Sequence, residues 1–485
     1  MAIEIKSIKP ELLWSIFYDI TQIPRPSGRE EAVRNYVVNF GKQHGLTTEV
    51  DEVGNVLIRK PATPGMENRK AVVLQGHLDM VPQANSDSKH NFETDPIDAY
   101  IDGEWVKAKG TTLGADNGIG VAATLAVLAS KELEHGPVEG LFTIDEETGM
   151  TGVFGLQPGW LKGEILMNLD SEDEGELYIG CAGGINTNAT FTFKYEAVPA
   201  NHTAFDLRVT GFKGGHSGID IVLQRGNAIK SLTRVLYSGI KNFELKLANI
   251  EGGSLRNAIP REAFASVLVP NAHVANFEAF VGELTKTIVS ELAAQENDIK
   301  ISAAKVATPA QIIDKVSAKA LVNALYGCPH GVMRMSDYMP IPETSTNLAI
   351  VKIDGNTIKV TGLQRSFVDS AREDLCDMIR SVFEQAGADV VQDGGYPGWR
   401  PNVDSPVLKT MKEVYNNHFG KVPEIKSIHA GLECGLLGGI YPDMDMISFG
   451  PTIRFPHSPD EKVNIETVSK FWDFLTASLK NIPVK

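Results

Sequence analysis

Apolar positions along this chain follow two different rhythms, and the change between them predicts its organisation. Up to about residue 186, apolar residues recur at helical spacing through Pro10 to Ile20, Gly28 to Phe40 and the Ala-rich stretch Asn117 to Leu128. Short apolar runs at Ala71 to Leu74, Gly140 to Ile144 and Glu164 to Leu169 have the length and flanking loops of buried strands. Strands of that kind interleaved with helices predict an α/β layer, a mixed sheet flanked by helices.

From about Asn186 the period shortens to two. Ala189, Phe191, Phe193 and Tyr195 alternate with Thr190, Thr192 and Lys194, and Phe205, Leu207 and Val209 with Asp206, Arg208 and Thr210. Half-solvated antiparallel strands have this signature. The second layer is expected to end at Gly394-Gly395-Tyr396-Pro397-Gly398, read as a linker. A helix over Ser405 to His418 follows, and the apolar run Met446 to Phe449 is expected to rejoin the first sheet. The predicted domains are therefore a discontinuous unit, 1–186 with 399–485, and an inserted α+β unit, 187–398, with room for two antiparallel modules.

Composition removes several function classes. The formal net charge is −15, from acidic residues spread along the chain, which argues against a nucleic-acid partner. The longest mostly apolar stretch, Ile119 to Ala129, is far short of the roughly 20 residues a bilayer requires, so no membrane span is expected. The opening Met1-Ala2-Ile3-Glu4-Ile5-Lys6 lacks the order of a secretory signal, and the four cysteines form no Cys-x-x-Cys pair. Both fit a reducing, cytoplasmic setting and argue against thiolate zinc sites.

Five segments place metal-ligand side chains after predicted strands or in adjoining loops: His77-Leu78-Asp79, Gly114-Ala115-Asp116-Asn117-Gly118, Asp145-Glu146-Glu147-Thr148-Gly149, Asn168-Leu169-Asp170 and Pro456-His457-Ser458. Alone, each has an ordinary reading: His-x-Asp is common, adjacent glutamates usually form a solvated face, and Asp-Asn-Gly is usually a turn. Together at strand carboxyl ends, where open α/β sheets carry their ligand sites, they predict a metal centre. Imidazoles with several carboxylates and no thiolate suit a catalytic zinc, cobalt or manganese pair with positions open to water. In an extended segment His77 and Asp79 project the same way, so Asp79 can accept the second ring N–H of His77. Of Glu146 and Glu147, one can bind metal while the other faces the water.

The succession Gly76-His77-Leu78-Asp79-Met80, Gly114 to Gly118, Asp145 to Gly149, Asn168 to Asp170 and Gly214-Gly215-His216-Ser217-Gly218 resembles the M20 metallopeptidases over essentially the whole chain. The segment His429-Ala430-Gly431-Leu432-Glu433-Cys434-Gly435 and the length point to the aminoacyl-histidine (Xaa-His) dipeptidase branch. The resemblance implies a zinc-peptidase-like catalytic domain and an inserted lid and dimerisation domain. It implies two divalent metal ions per chain, zinc first, with cobalt or manganese as alternatives. His77, Asp116, Glu147, Asp170 and His457 are implied as ligands, with Asp116 bridging and a cis peptide after it. Glu146 is implied as general base and Asp79 as the residue orienting His77. His216 matches the histidine that polarises the scissile carbonyl, and Asn257 and Arg365 match lid residues holding the substrate's polar ends. In several relatives the lid histidine acts across a homodimer interface. The expected activity is hydrolysis of dipeptides, including Xaa-His dipeptides such as β-alanyl-histidine. An N-acyl amino acid amidohydrolase and a non-catalytic peptide-binding protein are the competing expectations.

Overall fold

The computed structural model describes residues 2–485, with side chains from Glu4 onward; Met1, the first residue of the predicted N-terminal unit, lies outside the described residues. The chain forms two compact units, Met1–Gly180 with Pro401–Ser427 and Leu432–Lys485, and Cys181–Arg400 with Ile428–Gly431.

In the first unit the predicted apolar runs become the centre of an eight-stranded mixed sheet. Val72–His77 lies parallel to Val138–Thr143 on one side and Ile165–Asn168 on the other, and Asp445–Ser448 extends the parallel set beside Ile165–Asn168. The run Met446 to Phe449 thus does rejoin the first sheet, through Asp445–Ser448. Val72–His77 and Val138–Thr143 are buried at every position, Gln75 and Glu139 included, which explains why their apolar residues cluster in short runs rather than alternate. The helices Glu11–Thr21, with Leu13, Trp14, Phe17 and Ile20 buried, and Ala115–Ala129, apolar on all sides, belong to this layer. The parallel arrangement brings the carboxyl ends of three adjacent strands together, and there stand His77, Asp145-Glu146-Glu147 and Asp170.

The second unit is built on one nine-stranded antiparallel sheet over an extensive apolar core that takes Phe205, Leu207 and Val209 from one strand and Ile229, Leu232, Val235 and Leu236 from the helix Ala228–Phe243, with a smaller cluster of Ala204, Leu268 and Ile312 beside it. The room for two modules is used by one sheet. Two expectations shift. The alternation read through Tyr195 breaks at Thr192, where the strand Gly183–Thr192 ends and Tyr195–Ala197 starts a separate short pairing with Gln311–Ile313. The Gly/Pro cluster read as a linker is half strand: Asp389–Tyr396 includes Gly394 and Gly395, because an edge strand beside Gly183–Thr192 tolerates glycines that a turn would also favour. Among the described residues no helix is long and apolar enough to cross a membrane.

Candidate metal and substrate site

His77 closes its strand fully buried, with Nε2 3.1 Å from Asp116 Oδ1 and 3.3 Å from Asp170 Oδ1. Asp116 turns its other oxygen to His457, whose Nε2 is 3.2 Å from Asp116 Oδ2 and 3.0 Å from Glu147 Oε2. Two donor sets result, His77 with Asp116 and Asp170, and Asp116 with Glu147 and His457, and they share one carboxylate. Glu146 joins His77 and Glu147 in a third grouping within the same reach. His457 is half exposed, on a loop where it holds a left-handed backbone (φ 58), whereas the other members are largely buried.

Local structure explains how the segments meet. Asp79 Oδ1 is 3.3 Å from His77 Nδ1, and its two oxygens accept the backbone N–H groups of Glu146 (3.0 Å) and Glu147 (3.2 Å) and the Ser27 hydroxyl (2.7 Å). One carboxylate therefore fixes the imidazole and the glutamate turn together. The Asp116–Asn117 peptide is cis. The Asn117 carboxamide donates to Leu169 O at 2.6 Å, joining the Asp116 loop to the segment carrying Asp170. That carboxamide packs where a side chain at residue 76 would otherwise lie, so the strand needs glycine at Gly76.

The electrostatics show an excess of carboxylates. Burial would depress the His77 imidazolium, yet Asp170, Asp116 and Asp79 raise it well above the ordinary histidine range. Hydrogen bonds to Asp116 and Glu147 push His457 up to about 11. Burial raises Glu146 well above the usual carboxylate range, with Asp170, Glu147 and Glu433 adding repulsion, and burial with Asp116 and Glu147 pushes Asp170 up to about 7. Glu147 Oε1 and Asp170 Oδ1 are buried without a hydrogen-bond partner. Hard and borderline donors, orphaned carboxylate oxygens and mutual repulsion are together what a pair of divalent cations relieves, so the residues fit such a pair.

In the second unit, His216 follows Gly215, and this short strand pairs with Ala258–Ile259. Its Nδ1 accepts the N–H groups of Gly218 (3.3 Å) and Ile219 (3.1 Å), so the neutral ring carries its proton on Nε2. Burial and the nearby Arg365 charge hold His216 down to about 4. Arg365 is buried, donates from Nη1 to Tyr396 Oη at 2.9 Å and keeps Nε unpartnered. Asn257 is exposed, and its carbonyl accepts the N–H of Ser217 at 2.8 Å.

Several side chains around these sites carry no sequence signal. Tyr396 sits in what reads as a linker. His429, buried and 2.7 Å from Ser345 Oγ, lies in the segment noted above but without an assigned role. Glu433 is buried, accepting from Thr143 Oγ1 (2.9 Å) and from Gln75. Arg25 and Glu461, both buried, bind only backbone of the loops that carry the cluster. Their partners are far away in sequence, and only the fold reveals them.

Comparison with known proteins agrees with this geometry. The profile of peptidase family M20/M25/M40 matches residues 73–481. The chain is 48% identical over 483 residues to the cytosol non-specific dipeptidase of Escherichia coli (strain K12), covering 99% of this chain and 100% of that one. It superposes on the crystal structure of aminoacylhistidine dipeptidase from Vibrio alginolyticus with a TM-score of 0.94 and 51% identity, covering 99% and 98% of the two chains. Aminopeptidase PepT from Bacillus cereus ATCC 10987, at 16% identity, TM-score 0.59 and coverage of 98% and 99%, shares the fold. With the family profile spanning most of its length, and one carboxylate shared by two imidazole-containing donor groups, this chain belongs to peptidase family M20/M25/M40.

Proposed function

We propose that this protein is a dinuclear-metal dipeptidase that cleaves Xaa-His dipeptides such as β-alanyl-histidine among its substrates. The observation that carries the reading is Asp116, one oxygen facing the His77 set and the other the His457 set. Similarity to a cytosol non-specific dipeptidase and to an aminoacylhistidine dipeptidase, each at about half identity over nearly the whole chain, supplies the substrate class.

In this reading His77, Asp116 and Asp170 would hold one ion, and Asp116, Glu147 and His457 the other, with zinc the first choice and cobalt or manganese able to replace it. When bound, the pair supplies Lewis acidity and a water of lowered pKa. Glu146 takes the proton of the attacking water and returns it to the leaving amine. Asp79 keeps His77 in the tautomer with Nε2 toward the cluster. His216, neutral with its proton on Nε2, donates to the oxygen of the scissile carbonyl where charge develops. Arg365, hydrogen-bonded to the Tyr396 hydroxyl, pairs with the substrate carboxylate, and Asn257 adds a polar contact at the same end. The protein works as a cytoplasmic homodimer, with His216 serving its own or its partner's substrate.

The test is metal removal and reconstitution, followed by a panel of free dipeptides, their N-acylated counterparts and single N-acyl amino acids. Cleavage of free dipeptides that depends on added metal is expected. Turnover confined to N-acyl amino acids would make the protein an amidohydrolase, and binding without turnover a peptide-binding protein.

A further inference from the structure

Helix Ala115–Ala129 receives no cap from its own sequence. Gly114 precedes it with a left-handed backbone (φ 72) and no side chain, and Asp116 and Asn117 inside it are non-helical. The N–H groups of four consecutive residues would be left without partners. They converge on Glu461, whose Oε2 accepts from Leu113 (2.7 Å) and Gly114 (3.0 Å) and whose Oε1 accepts from Ala115 (2.8 Å) and Asp116 (3.2 Å).

A carboxylate has about four lone-pair sites. All of those on Glu461 are taken by backbone, so this buried acid, four residues beyond His457, has none to offer a metal ion. Its own N–H bonds the carbonyl of Ser458, next to His457. Glu461 therefore ties the loop presenting His457 to the loop presenting Asp116. Arg25 makes the opposite connection through carbonyls, from Leu78 (2.8 Å) and Asp79 (2.7 Å) beside His77 to Gly114.

We propose that Glu461 is a positioning residue that sets the metal stoichiometry: it fixes Asp116 against His457, and so determines whether the second ion binds. The inference rests on the dinuclear reading above but not on the substrate. The effect is asymmetric. Shifting what Glu461 holds displaces two of the three donors of the Asp116, Glu147 and His457 set, but only one of the His77, Asp116 and Asp170 set. In Glu461→Gln one oxygen still accepts two N–H groups, while the new amide turns donors toward the other two.

The experiment is titration of metal-free wild type, Glu461→Gln and Glu461→Ala with cobalt(II), read by calorimetry and visible absorption, with circular dichroism as the check on folding. The expected result is a first ion bound as in wild type and a second bound at least tenfold more weakly in both variants. Acetate should restore the second site in Glu461→Ala by refilling the carboxylate position. Two ions bound with wild-type affinity in both variants would overturn the proposal. So would equal weakening of both ions, or loss of both with the fold and no acetate rescue. Because no peptide enters the measurement, failure here is separable from failure of the dipeptidase reading.

Discussion

At the scale of single residues, the proposed chemistry divides between side chains that would hold ions and side chains that would move protons. The proposed mechanism gives the proton to Glu146 and the ions to Glu147 and its four partners, although Glu146 also stands within ligand reach of His77 and Glu147. Glu146→Ala should lower kcat by about 10²–10⁴-fold, the range of general-base catalysis, while metal content stays near two per chain. Metal analysis showing one ion lost would make Glu146 a ligand instead. His216 is proposed to act differently, as a neutral donor, and two backbone N–H groups on its Nδ1 set the tautomer this requires. Removing such a donor to a developing oxyanion costs about 10²–10³ in kcat, so His216→Ala should show that loss with KM little changed. A change confined to KM would reassign His216 to ground-state binding.

At the scale of elements, the sheet positions the cluster through close backbone approaches. A methyl group at Gly76 would overlap the Asn117 carboxamide, which spans to Leu169. Gly76→Ala should therefore cost about 1–3 kcal/mol by overpacking and weaken metal binding too, because Asn117 neighbours Asp116. Thermal melts with and without metal would check this, and an unchanged melting temperature in both would contradict it. A second effect belongs to the antiparallel unit, where burial holds His330 down to about 4 and His429 to about 3. Unfolding frees both to bind protons near the ordinary histidine value, so the unfolded state binds more protons below about pH 6.5 and stability falls as pH falls. Between about pH 6.5 and 5 each should remove up to about 2 kcal/mol. Denaturant melts across that range would show it, and His330→Gln should flatten part of the slope.

The sequence made the elements and the cluster legible for the same reason: His77 closes a buried strand rich in apolar residues, and Glu146, Glu147 and Asp170 follow closely on two others. His216, Asn257 and Arg365 are singled out through resemblance alone. Arg25, Glu461, Tyr396 and His429 are not legible, since each acts on partners tens to hundreds of residues away and none breaks a local pattern. The boundary near residue 186 falls instead at Gly180 and Cys181, because Gly183 and Gly184 extend the strand without any apolar signal.

At the scale of the whole molecule, substrate length becomes the measurable property. If Arg365 pairs with the carboxylate of a dipeptide whose scissile bond lies at the metals, one further residue moves that carboxylate roughly 3.3–3.6 Å away. Losing a charge-assisted contact costs about 1.5–3 kcal/mol, a drop of about ten- to hundredfold in kcat/KM from dipeptide to tripeptide. Arg365→Ala should narrow that gap by harming dipeptides more. Equal rates on dipeptides and tetrapeptides would make the enzyme an aminopeptidase.

The four residues Ile428–Gly431 belong to the antiparallel unit although their flanks belong to the other. There Ala182 donates to the carbonyls of Ile428 and Ala430, Ser345 bonds His429, and Tyr396 packs on Gly431. The chain consequently passes between the units four times rather than twice, and the antiparallel unit is not a cassette. Joining Gly180 directly to Pro401 would strand a tetrapeptide shaped for partners that are gone. Exchanging this unit with that of a relative would need a second graft of four residues, and a chimera lacking it should misplace His429 even where every strand of the donor folds.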